Sequence, residues 1–80
     1  MKKNDEKKVL DAITKALKLK KPVDENDSVK TIGEWDSLSH LVILTVIDKM
    51  FAGKAADIPD LANADSIKKI LKILKREKLI

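Results

Sequence analysis

The chain has 80 residues, no cysteine, and 17 lysines and arginines against 13 acids, for a net charge of +4 with its one histidine neutral. So short a chain supports a single domain, residues 1–80, with a modest core, and without cysteine it has no disulfide or thiolate metal site to reinforce that core. No apolar run approaches the length that crosses a bilayer, and none follows the charged start from Met1 to Lys8, so a cytoplasmic protein without stable membrane association is expected. The positive total points towards nucleic acid, an anionic surface or an acidic partner. Its distribution weakens that reading, because between Glu34 and Asp60 five acids face two lysines.

In chain order, Val9, Leu10, Ile13, Ala16 and Leu17 recur at spacings of three and four, which predicts an amphipathic helix from Asp5 to about Leu19. Asn4 or Asp5 would cap it, Lys18, Lys20 and Lys21 would suit its negative end, and Pro22 would stop it. Residues from Pro22 to Asp36 make a long connection in which Val23, Val29 and Ile32 are spaced among polar residues. Such a loop is expected to be pinned onto the helices, with a short turn at Asp27-Ser28-Val29.

A polar, glycine-containing segment ends at Asp36, and the next fourteen or so residues are almost all apolar, which predicts a helix from Ser37 to about Phe51. Asp36 is placed to cap it, its carboxylate accepting a backbone N–H two or three positions on, so that Ser37 takes the first helical position with its hydroxyl outward. Ile43, Leu44, Ile47, Met50 and Phe51 form a broad stripe expected to face the core. Leu38, Leu41 and Val42, beside the arc of Thr45, Asp48 and Lys49, form the candidate working surface.

Gly53 is placed to end that helix in the left-handed conformation. Lys54 to Asp60 is then expected to be a loop anchored by Ile58, with Pro59 opening a helical turn through Leu61, Ala62 and Asn63. Asp65 or Ser66 would cap a last helix that turns Ile67, Ile70, Leu71 and Leu74 inward and Lys68, Lys69, Lys72, Lys75 and Arg76 outward.

For chemistry, Asp36, Ser37 and His40 lie close in sequence, but a nucleophilic triad needs a base, an orienting acid and oxyanion donors converging on a pocket. The G-x-S-x-G turn is missing and a small helical chain leaves little room for a substrate, so independent catalysis is not expected. One histidine and no cysteine make a metal site equally unexpected. Nucleic-acid binding would need clustered cations with stacking aromatics, and Trp35 and Phe51 are the only aromatic residues. Trp35 either closes the loop over the core or presents its face to a partner, and Leu38 has the same two roles open to it.

Trp35-Asp36-Ser37-Leu38 resembles the phosphopantetheine attachment site of acyl and peptidyl carrier proteins, in which the serine of an Asp-Ser-Leu triplet opens the second of four helices. The arrangement around the triplet is similar as well: a helix and a long loop before it, a short turn and a last helix after it. The resemblance implies an all-α, four-helix bundle with three longer helices, a short third one, and a long loop between the first two. It also implies a monomeric, non-catalytic carrier that holds acyl or aminoacyl intermediates as thioesters on a 4′-phosphopantetheine arm.

On that resemblance, Ser37 takes the arm from coenzyme A through a phosphopantetheinyl transferase, and Asp36 is both helix cap and part of the transferase signal. Trp35, Leu38, Leu41, Val42, Thr45, Asp48 and Lys49 would meet partners: an acyl- or aminoacyl-activating ligase, and acyltransferase or synthase enzymes. Fatty-acid-synthesis carriers have a glycine three residues before the serine and acids two and five residues after it. Here those positions are Glu34, Ser39 and Val42, and the total charge is positive. A specialised stand-alone carrier for a polyketide, nonribosomal peptide, modified-sugar or lipid pathway is therefore expected rather than the housekeeping one. The alternatives are a carrier-like interaction module without the arm and a small basic nucleic-acid-binding domain.

Overall fold

The computed structural model describes residues 2–80. Three α-helices, α1 (Lys2–Ala16), α2 (Ser37–Met50) and α3 (Ile67–Arg76), are joined by the long loop and by two 3-10 turns, Lys54–Asp57 and Pro59–Asn63. The protein is all-α; among the described residues the only β-type pairing is an isolated antiparallel bridge between Ser28 and Ser66. The short third helix expected after Pro59 is thus a 3-10 turn, and the preceding stretch expected as loop contains a second one.

One apolar core joins these pieces. Val9, Ile13 and Leu17 enter it from α1 and its C-terminal turn, Ile43 and Ile47 from α2, and Ile67, Ile70, Leu71 and Leu74 from α3. The loops contribute Val23, Ile32, Trp35, Ile58 and Leu61, and Ile80 closes the far end. Met50 departs from the expected core stripe and is 36 % exposed. Three residues after fully buried Ile47, its side chain is rotated about 60° away from it, towards the gap between α1 and α2.

The first helix already contains Asn4 and Asp5, so neither caps it, and it stops at Ala16 rather than Leu19. Lys18 adopts the left-handed conformation at φ 56°, which reverses the chain while the Leu19 N–H still reaches the Thr14 carbonyl at 3.0 Å. Thr14 also fastens the following loop, because its hydroxyl donates to the Leu10 carbonyl and accepts the Val23 N–H at 3.0 Å. The loop is held at its other end by Val29 N–H donating to the Asp65 carbonyl and Ile67 N–H donating to the Asp27 carbonyl, both at 3.0 Å. Val23 and Ile32 are its buried pins, whereas Val29, expected to join them, is 39 % exposed.

After α2 the chain turns through two consecutive left-handed residues, Ala52 at φ 55° and Gly53 at φ 84°. Gly53 N–H donates to the Asp48 carbonyl at 2.8 Å, and the Asp48 carboxylate accepts the Ala56 N–H at 2.9 Å, so the end of α2 organises the first 3-10 turn. Ser66 caps α3 by accepting the Lys69 N–H at 3.2 Å.

Candidate functional site

The start of α2 is built by its own sequence. Asp36 is extended, at φ −106° and ψ −172°, and its carboxylate accepts the Ser39 N–H at 2.8 Å while its carbonyl accepts the His40 N–H at 2.8 Å. The Ser39 backbone N–H, and after it the Ser39 side chain, hold the Asp36 carboxyl below the usual carboxylate range. Ser37 follows as the first helical residue and is exposed to solvent. In a helix the first-turn N–H groups have no intrahelical acceptor; that of Ser39 is taken by the Asp36 carboxylate, and those of Ser37 and Leu38 lie beside it at the positive end of the dipole.

The loop entering this helix is fixed by a bracket that crosses three segments. Trp35 is 4 % exposed, and its indole N–H donates to His40 Nδ1 at 3.0 Å. The other ring nitrogen, Nε2, lies 2.9 Å from the Leu61 carbonyl on the second 3-10 turn. An indole N–H can only donate, so Nδ1 is the acceptor and Nε2 carries the proton that goes to Leu61. Both imidazole nitrogens are therefore engaged away from Ser37, and His40 is not placed to take a proton from it.

Beside Ser37 lies an open groove of about 490 Å³ between the start of α2 and the second 3-10 turn. Its apolar lining comes from Val29, Trp35, Leu41, Leu44, Ala62 and Ala64, with Asp36 and Asp65 among its polar residues. Lys69, by hydrogen bond and charge, holds the Asp65 carboxyl below its usual range.

The partner-facing residues expected from sequence separate into two groups. Leu38, Leu41 and Val42 are 76 %, 59 % and 46 % exposed, and together with exposed Thr45 and Lys49 they form a ridge on the side of α2 away from the core. Of the two roles open to Trp35, the structure shows the closing of the loop over the core: its indole is buried and bonded to His40. Asp48 lies on the flank of that ridge, half-buried, with its carboxylate accepting the Ala56 N–H. The bracketing role of His40 was not anticipated; its only trace in the sequence is a polar residue three positions before Ile43, on the buried arc of the helix.

The prosthetic group implied by the resemblance fits the residues present. An accessible hydroxyl, the positive end of a helix dipole suited to a phosphate, and an apolar groove alongside are features that suit such an arm. No protein-family model matches the chain, and neither a curated protein nor a solved structure matches it significantly.

Proposed function

We propose that the chain is a carrier protein in which Ser37 bears a 4′-phosphopantetheine arm transferred from coenzyme A by a separate phosphopantetheinyl transferase. The observation that carries this reading is an exposed serine at the first position of a capped helix, beside an apolar groove, in a small all-helical chain. When bound, the arm supplies a terminal thiol that holds acyl or aminoacyl groups as thioesters.

The chain's own residues mount and present. Asp36 fixes the helix start, so the Ser37 hydroxyl is offered at one place, and its neighbouring N–H groups face the attached phosphate. The bracket of Trp35, His40 and Leu61 sets the angle at which the loop delivers that hydroxyl. Leu38, Leu41 and Val42 give partner enzymes an apolar surface next to the attachment point. The turn over Pro59–Asn63 takes the place of the short third helix of carrier bundles. We place the protein in the cytoplasm, serving a specialised pathway through an activating ligase and acyltransferase or synthase enzymes.

Intact-mass measurement after incubation with coenzyme A and a broad-specificity phosphopantetheinyl transferase tests this. The expected result is a gain of one phosphopantetheine, abolished by Ser37→Ala. No gain with several such transferases would overturn the carrier reading in favour of an interaction module without the arm.

A further inference from the structure

A second groove, of about 680 Å³, runs between α1 and α2 on the side remote from the 3-10 turns. Its α2 wall is apolar: Val42, Val46 and Met50, one helical turn apart, of which Val42 and Met50 are exposed. Its α1 wall carries Lys8, Asp11 and Lys15, with Lys18 at the end. Among the described residues, the ion pairs involve Lys69, Lys75 and Arg76, and none involves these three lysines. Lys49 extends the cationic side along the ridge of α2, whereas the one acid of that helix, Asp48, does not line this groove and faces the first 3-10 turn, where it accepts the Ala56 N–H.

We propose that this groove receives an amphipathic helix of a partner protein whose apolar side chains enter between α1 and α2 and whose flanking carboxylates meet Lys8, Lys15 and Lys18. The inference rests on the carrier reading only for the partner being an enzyme that acts on the Ser37 arm. Charge decides the sign of the occupant. Three lysines and one aspartate make the rim net positive, so an acidic flank is steered in and a basic one repelled. A second copy of the chain brings the same net charge of +4 and is disfavoured.

Shape decides between a protein and a lipid surface. A trough between two helices accepts protruding side chains, the helix-in-groove mode of recognition. A bilayer would be met by a protruding apolar edge with aromatic anchors at the interface, and the one tryptophan here is in the core. Position supports the same occupant. Val42 is five residues and Met50 thirteen residues after Ser37, so the groove lies roughly 8–20 Å along the helix from the attachment point. A partner seated there keeps its own active site within reach of the arm.

The test is an NMR titration of the ¹⁵N-labelled full chain with a helix-stabilised synthetic peptide bearing a leucine stripe flanked by glutamates. Its controls are a twin with lysine flanks, a twin with alanine in the stripe, and anionic phosphatidylglycerol vesicles. The glutamate–leucine peptide is expected to shift the amides of Ala12, Ala16, Val42, Val46 and Met50. The double substitution Lys8→Glu, Lys15→Glu is expected to weaken that binding roughly tenfold or more, with the thermal unfolding curve showing the fold intact. Equal binding of the lysine-flanked twin, shifts confined to other surfaces, or shifts produced by the vesicles and not by the peptide would each overturn the proposal. Loading of Ser37 is scored separately by intact mass, so failure there strikes the carrier reading while leaving the groove result to stand or fall alone.

Discussion

Replacing His40 with glutamine tests whether the bracket holds the entrance to α2. Glutamine is a good helix former, and its terminal amide reaches towards the place of Nε2, so the bond to the Leu61 carbonyl can be kept. Nothing in it stands where Nδ1 does, and the indole N–H of buried Trp35 loses its acceptor. A net hydrogen bond contributes about 1 kcal/mol, and an orphaned buried donor adds to that, so His40→Gln should destabilise by about 1–2 kcal/mol. Trp35→Phe removes the donor from the other side. In a double-mutant cycle the two changes should be non-additive by about 1 kcal/mol, since the shared bond can be lost only once. Urea unfolding followed by far-UV circular dichroism measures all four proteins. Trp35 is the chain's one tryptophan, so its fluorescence reports on this bond directly in the His40→Gln variant. Strictly additive costs would show that indole and imidazole are not coupled, and the bracket would have to be abandoned.

Three further outcomes follow from the geometry. The Asp36 carboxyl titrates below its ordinary value of 3.8 in the folded protein, so the unfolded chain binds its proton first. Its contribution to stability is thus fully present above that value and is lost as the pH falls through the folded one. Asp36→Asn, which still caps, should flatten that acid limb in pH-dependent urea unfolding; an unchanged limb would remove Asp36 as its source. Ala52 sits at φ 55°, a conformation costing an L-residue roughly 1–2 kcal/mol, part of which glycine gives back as chain entropy, so Ala52→Gly should raise stability by about 0.5–1 kcal/mol. A loss of stability in thermal or urea unfolding would contradict this. Leu38→Ala should leave stability within about 0.5 kcal/mol of wild type, whereas Ile47→Ala, at a fully buried site, should cost about 2–5 kcal/mol. Comparable costs in the same urea assay would mean that the two faces of α2 have been misassigned.

What was legible in the sequence depended on whether a local pattern or a distant contact set the structure. The last helix was almost wholly legible: Ile67, Ile70, Leu71 and Leu74 are all buried, and Ser66 caps it, because periodicity and cap are both local signals. The start of α2 was legible for the same reason, down to the carboxylate accepting a backbone N–H three residues on. The end of α1 was not, since it stops where Thr14 turns to the Val23 N–H and Lys18 goes left-handed, and neither event has a glycine or proline to announce it. The 3-10 turn over Lys54–Asp57 was missed because the Asp48 carboxylate, eight residues before Ala56, helps to order it.

The same division applies to Trp35 and Asp48, each of which is held by a partner that sequence spacing does not announce, His40 in one case and Ala56 in the other. The exposed ridge of α2 presents Leu38, Leu41 and Val42 with Lys49 beside them and Asp48 on its flank, and α1 adds three more lysines alongside the adjoining groove. The acids near Ser37 instead cluster at its own end of the helix, in Glu34 and Asp36. A protein docking on this face would meet acids beside the serine and lysines along the adjoining groove. Its own cations would be drawn towards Glu34 and Asp36 and its acids towards Lys8, Lys15 and Lys18, a pattern that selects among partners where the apolar ridge alone would not.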